Sequence, residues 1–267
     1  MSDLVKIKEL RERTGTGLSD CKKALIESDW DIEAAIDYLR KQSSVKATKK
    51  ADRNAAEGRL MASINDDASV GAIVEVNVET DFAARNERFV EFIKMVADGV
   101  LENGPDSLND FEQARQELVQ TLGENVSLRR AATLSGAPGT IVSYIHTNGT
   151  VGTLLEIKEG SDSINLDMAM HITAMSPLVV SADQLPASVV DKEREILLER
   201  ARSAEDRKPD NIIERMVGGQ LKKFESESCL LSQGFVRDPK VSVSKVLKDA
   251  KAEVLKFVRY QVGEATS

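Results

Sequence analysis

The sequence has 267 residues, enough for a substantial core and, at about 100 to 200 residues per domain, for one to three domains. Its formal net charge is -8, which disfavours autonomous nucleic-acid binding, because neutralising a phosphate backbone takes clustered Lys and Arg. No apolar run approaches the ~20 residues that span a bilayer, and MSDLVKIKEL lacks signal-peptide organisation, so the expectation is a soluble cytoplasmic protein with no membrane contact.

Residues 1–42 read as three short helices. Leu4, Ile7 and Leu10 space the first, after Ser2 as cap, and Thr14-Gly15-Thr16-Gly17 breaks it. Leu18, Cys21, Ala24 and Leu25 space the second. Asp31 caps a third, in which Ile32, Ala35, Ile36 and Leu39 share a face. Gly15 and Gly17 are not followed by Gly-Lys-Ser/Thr, so they read as turn glycines rather than a phosphate loop. Residues 43–57 form a basic linker; within them SSVKATKKADRNAA, with Lys46, Lys49, Lys50 and Arg53, reads as solvated coil or exposed helix.

From Gly58 the pattern becomes strand (Leu60, Ala62, Ile64), turn (Asn65-Asp66-Asp67) and strand again. In the second strand Val70, Ala72, Val74, Val76 and Val78 alternate with Ile73, Glu75, Asn77 and Glu79, the signature of a half-buried strand. Asn86 caps a helix carrying Phe89, Phe92, Ile93, Val96 and Val100. Phe82 lies in the turn between these two elements and fits the apolar face of neither. One reading points it outward to a partner; the other makes it a lid on its own core, with Asp81 as a cap. A further helix carries Phe111, Ala114, Leu118 and Leu122, and Gly123 stops it.

The pattern then repeats. Ile141, Ser143 and Ile145 alternate, Asn148-Gly149 signals a two-residue hairpin turn, and Val151 to Ile157 answers Val70 to Val76 nearly position by position. A helix follows around Leu166 to Met175. Glu159-Gly160-Ser161-Asp162 stands where Glu79-Thr80-Asp81-Phe82 stands in the first copy, so the repeat keeps the strand and lacks the Phe. A residue needed only to build the fold would be expected in both copies. Ser181 to Gln184 resembles a capping box. Ala187 to Arg207, with Val189, Ile196, Leu197 and Ala204, and a helix with Ile213, Met216, Val217, Leu221 and Phe224 then suggest an antiparallel helical hairpin, with Pro209 between them. Val243, Val246, Leu247 and Ala250 mark a last helix, and Val254 to Val262 a closing strand that returns to the second subdomain.

The expected fold class is therefore α+β. Its domains are a helical module (1–42), the linker (43–57), core subdomain 1 (58–138), core subdomain 2 (139–184 and 241–267) and a helical-hairpin insertion (185–240).

Catalytic chemistry is not legible. His146 and His171 have no nucleophile in a triad order, Cys21 and Cys229 belong to no CxxC, and neither a Walker motif nor GxGxxG occurs. No cofactor or metal is implied, and interaction is the better class than catalysis.

Eight segments in chain order carry a resemblance: TGTGLSDCKKAL from Thr14, DIEAAIDYLRK from Asp31, KKADRNAAEG from Lys49, TDFAARNERF from Thr80, GENVSLRR from Gly123, DMAMHITAMSP from Asp167, ERMVGGQLKKF from Glu214 and QVGE from Gln261. Together they closely resemble the bacterial translation elongation factor Ts family. The resemblance implies a UBA-like N-terminal module, a two-part core and a protruding coiled-coil hairpin. It implies a guanine-nucleotide exchange factor for the GTPase elongation factor Tu, in its GDP-bound and nucleotide-free forms, with no direct contact to nucleotide or nucleic acid. In that family the turn matching Thr80, Asp81, Phe82 and Ala83 enters the GTPase near its magnesium and helps dislodge the ion. His171 matches the family's supporting histidine, which lies beside that Phe, and Arg11 and Leu18 match N-terminal docking positions that touch the GTPase's nucleotide domain. Ser19 departs from the family, which often has a large apolar residue there, and the sequence ends soon after Gly263-Glu264, short of an extension that some members carry. The alternative is a passive scaffold or chaperone that binds through the hairpin and the N-terminal module without exchange.

Overall fold

Apolar side chains at helical spacing make the N-terminal segment a packed set of three helices: α1 (Asp3–Thr14), α2 (Leu18–Glu27) and α3 (Ile32–Lys50). Leu10, Cys21, Ala24, Leu25, Ala35 and Leu39 form their common core. Gly15 ends α1 at φ +69, a left-handed conformation that costs glycine little. Asp31 caps α3 by accepting the Ala34 N–H at 2.8 Å. Ser2 stands at the N-cap of α1 without a side-chain cap bond. The computed structural model describes residues 2–203 and 209–265. By Cα proximity it divides into two units, Met1–Leu134 with Ile145–Gly152 and Tyr260–Ser267, and Ser135–Tyr144 with Thr153–Arg259.

Helix α3 does not end at residue 42. It runs to Lys50 and packs on the later helix α6 (Glu112–Leu122), with Ser43 and Ala47 buried. The reason is size: Ser43 and Ala47, four residues apart, leave room for a second helix while giving almost no hydrophobic signal. Lys46, expected to be solvated, pairs with Asp20 at 2.7 Å.

The first sheet has the order β1-β2-β3, formed by β1 (Glu57–Ile64), β2 (Val70–Val78) and β3 (Val126–Ser135). β1 and β2 are antiparallel. The sequence suggests only this hairpin, and β3 is an addition. VSLRRAATLS does not alternate, because Arg129 and Arg130 sit at its centre. Helix α5 (Glu87–Asn103) lays Phe89, Phe92, Ile93, Val96 and Val100 on Val74, Val76 and Val78, and α6 adds Leu118 and Val119. The opposite face of β2 is buried too, which corrects the half-buried reading. Glu75, fully buried, meets Arg129 at 3.3 Å, Arg130 at 2.6 Å and the Gly263 N–H at 3.1 Å.

β4 (Thr140–Ile145), β5 (Val151–Lys158) and β8 (Glu253–Gln261), most of whose residues belong to the second unit, form a sheet of order β4-β5-β8. The internal repeat thus reaches a third strand, since each hairpin is joined on the same side by a later strand. The β4–β5 connection is longer than the two residues that Asn148-Gly149 suggests: His146 N–H bonds the Val151 carbonyl at 2.9 Å, and Gly149 supplies φ +76. Helix α7 (Asp162–Met175) packs Met168, Ala169 and Ile172 on Leu155 and Ile157.

Helices α8 (Ala187–Arg202) and α9 (Asp210–Ser228) pack on each other through Leu197, Ile213, Val217 and Leu221. Ala204 and Arg207 lie outside the described residues. The capping-box reading of Ser181 to Gln184 fails: these residues form a short 3-10 turn, Gln184 accepts the Val180 N–H, and Ser181 donates to Asp183. A two-stranded ribbon of β6 (Gly234–Phe235) and β7 (Asp238–Ser242), not read from the sequence, precedes α10 (Val243–Ala250), which Ser242 caps. Among the described residues no helix is long and apolar enough to cross a membrane.

Candidate functional site

After β2 the chain leaves the sheet at Glu79 and makes one short helix, α4 (Asp81–Ala84), before α5 begins. Thr80 is its cap, with Oγ1 accepting the Ala83 N–H at 3.2 Å. Ala83 and Ala84 are buried in the core of the first sheet. Phe82, between them and the cap, is 81% exposed. A lid on the core would be covered, so that reading is excluded, and Thr80 rather than Asp81 does the capping. Asp81 instead pairs with Arg85 at 3.0 Å, with both side chains substantially exposed. Such surface pairs contribute ~0 to 1 kcal/mol, so the Asp81 carboxylate can be redirected at little cost.

Two acidic side chains hold this turn from behind. Glu124, in the link between α6 and β3, accepts both the Thr80 N–H at 3.0 Å and the Thr80 hydroxyl at 2.8 Å. Glu79 accepts the Asn125 N–H at 2.6 Å. Asn125 in turn donates from Nδ2 to the carbonyls of Ala51 and Arg53, just beyond α3. Asn86 caps α5 by accepting the Arg88 N–H at 3.0 Å, and the Arg88 guanidinium donates to the Thr14 carbonyl at 3.0 Å. A Cβ at Gly15 would lie 1.6 Å from that guanidinium, so a side chain there would push the Arg88 group aside, and the φ of +69 itself favours glycine.

The other sequence-identified positions fall as follows. Arg11 and Leu18 are exposed on α1 and α2, on either side of the Thr14–Gly17 bend, in the same unit as the Thr80 turn. Ser19 is exposed beside Leu18.

His171 belongs to the second unit, fully buried on α7. Its Nδ1 accepts the Val236 N–H at 3.1 Å, so the ring proton sits on Nε2 and is donated to Gln233 Oε1 at 2.9 Å. Gln233 Nε2 passes the chain on to the Glu227 carbonyl at 2.5 Å. The ring stacks on Phe235 at 5.9 Å between centroids. Burial pushes its pKa below the ordinary value, only partly opposed by Gln233, so the imidazole is neutral at pH 7. Glu124 and Gln233 carry no sequence signal of their own; each acts on a residue distant in sequence.

The arrangement suits recognition rather than bond chemistry. A cleft of about 330 Å³ between the N-terminal helices and α6 is lined by Arg13, Glu33, Arg40 and Glu117, whose charges pair across it. The Cys21 and Cys229 thiols are buried, which raises their pKa and keeps them protonated. Among the described residues no three His, Cys, Asp or Glu side chains are placed to hold a metal ion.

The family model described as "Elongation factor TS" matches residues 79–264. Proteins named elongation factor Ts are similar along nearly the whole chain. That of Alcanivorax borkumensis is 46% identical, with 97% of this chain and 93% of the relative covered. That of Saccharophagus degradans is 43% identical, covering 97% and 90%. That of Legionella pneumophila strain Paris is 44% identical, covering 97% and 91%.

Proposed function

Since this chain belongs to the elongation factor Ts family, we propose that it promotes GDP release from elongation factor Tu by inserting the Thr80–Ala83 turn beside the magnesium of that GTPase. The exchange role in polypeptide elongation, without catalytic chemistry of its own, follows from the family. The wedge is our reading, and the observation that carries it is the 81% exposure of Phe82 on a turn hydrogen-bonded from behind. A large apolar side chain held out in water loses solvation cost when a partner covers it.

Magnesium bridges phosphate oxygens and neutralises their charge, so moving it weakens nucleotide binding without any contact from this protein to the nucleotide. Within the turn the parts divide. Phe82 fills space in the partner, Asp81 leaves Arg85 and perturbs the field around the ion, and Ala83 seats the turn on its own core. Arg11 and Leu18 supply docking area on the N-terminal module. His171 supports the second unit by fixing the Gln233–Val236 turn.

Covering one Phe contributes ~1.5 to 3 kcal/mol, so Phe82→Ala should slow GDP release roughly ten- to hundredfold at saturating factor. The measurement is release of fluorescent GDP from elongation factor Tu with wild type and variant. A wild-type release rate from a variant that still binds would remove the wedge. Binding by the wild-type protein with no acceleration of release would favour the scaffold reading.

A further inference from the structure

A helix of one turn has too few internal hydrogen bonds to hold itself, because nucleation fixes several residues for little return. α4 has four residues, and the exposed Phe82 ring has its own backbone as its main anchor, so what fixes that backbone fixes the ring. The decisive atom is the Thr80 hydroxyl. It has one proton, and the structure uses its oxygen twice: as donor to Glu124 at 2.8 Å and as acceptor from the Ala83 N–H at 3.2 Å. Holding the proton on Glu124 leaves a lone pair turned toward Ala83. The second oxygen of the same carboxylate takes the Thr80 N–H at 3.0 Å, so the cap residue is gripped through backbone and side chain together. These bonds involve an ionised acceptor and are stronger than neutral ones. Glu124 is half-buried and lies 44 residues from Thr80 in sequence, so the grip ties the turn to the far end of α6.

We propose that Glu124 is a positioning residue for exchange: through the Thr80 hydroxyl and N–H it fixes the α4 turn so that Phe82 is presented in the orientation that dislodges the partner's magnesium. This rests on the wedge reading of Phe82 given above. The adjoining Glu79–Asn125 bond anchors the same link from the β2 side, which leaves Glu124 as the group that acts on the cap itself.

The test is a set of full-length variants, Glu124→Ala, Thr80→Val, Thr80→Ser, Phe82→Ala and the double variant Glu124→Ala/Phe82→Ala, each assayed for fluorescent-GDP release from elongation factor Tu over a range of factor concentration. The maximal release rate and the half-saturating concentration are read separately, with thermal unfolding alongside. Glu124→Ala and Thr80→Val should each lower the maximal rate roughly tenfold, the loss expected for hydrogen bonds to a charged group, with little change in half-saturation. Thr80→Ser, which keeps both donors, should restore the wild-type rate to within about threefold. In the Phe82→Ala background, Glu124→Ala should slow release no further.

Equal slowing by Glu124→Ala in the presence and absence of Phe82 would overturn the proposal, as would a wild-type maximal rate in folded Glu124→Ala. If Glu124→Ala does not fold, Thr80→Val against Thr80→Ser decides, and equal rates in those two would overturn it. A wild-type rate in Phe82→Ala alone would strike the wedge reading itself, a result separate from any failure at Glu124.

Discussion

Phe82 could be singled out in the sequence because it breaks two periodicities at once, belonging neither to the alternation of Val70 to Val78 nor to the helical spacing that starts at Phe89. Glu124 could not, because nothing in GENVSLRR says that a carboxylate there meets Thr80 across 44 residues. Local patterns record burial; long-range hydrogen bonds leave no period. His171 shows the same limit. Its place on an apolar helix was legible, but its partners Gln233 and Val236 lie 62 and 65 residues away.

That geometry has a pH consequence. The folded protein holds His171 neutral with a depressed pKa, whereas the unfolded chain titrates it near its ordinary 6.5. Between the two values the unfolded state binds more protons. Stability is therefore fully present above about pH 6.5 and is lost as pH falls through that value toward the folded pKa. Urea unfolding between pH 5 and 7.5 should show this slope in the wild type and a flatter one in His171→Asn, which should also be ~1 to 3 kcal/mol less stable at pH 7.5 through its unpaired neighbours. Parallel pH dependence in the two proteins would show that His171 is not the titrating group.

At the scale of elements, helices with broad apolar faces and the two hairpins were readable, and so was the closing strand β8. Elements whose partners are polar or small were not. β3 is hidden by Arg129 and Arg130, which are there because Glu75 is buried opposite them. The C-terminal half of α3 is hidden by Ser43 and Ala47, which are there because α6 lies close. The Glu75 cluster also latches the end of the chain. Gly263 donates to Glu75, Arg130 donates to the Gln261 carbonyl at 3.1 Å and to the Glu264 carboxylate at 2.8 Å, and its guanidinium lies 3.9 Å from the centre of the Tyr260 ring. Removing the buried partner leaves two largely covered guanidiniums without it. Glu75→Ala should cost ~3 to 5 kcal/mol in urea unfolding, the range for breaking a buried ion pair from one side. Glu264→Ala, which removes a partly exposed carboxylate, should cost ~1 kcal/mol or less. Similar losses in the two variants would mean that burial does not set the strength of this latch.

For the molecule as a whole, exchange is a free-energy coupling between two ligands of one GTPase, and it must be reciprocal. If this protein weakens GDP binding by some factor, GDP weakens binding of this protein by the same factor. Couplings of this kind are typically ~1 to 3 kcal/mol, or roughly 5- to 150-fold. In the proposed mechanism Arg11 and Leu18 are docking contacts that would add affinity for the GTPase in either nucleotide state, and a contact of equal strength in both states shifts nothing. Only a contact that differs between the states contributes to the coupling, and in the proposed mechanism that contact is Phe82. Titration calorimetry of wild type and Phe82→Ala against elongation factor Tu, with and without GDP and magnesium, therefore separates the two roles. Phe82→Ala should weaken binding to the nucleotide-free GTPase roughly ten- to hundredfold and binding to the GDP form much less, shrinking the coupling by the ratio. Leu18→Ala should weaken both by the same smaller factor and leave the coupling intact. An equal loss against both forms in Phe82→Ala would reduce Phe82 to a docking contact and move the source of exchange elsewhere in the interface.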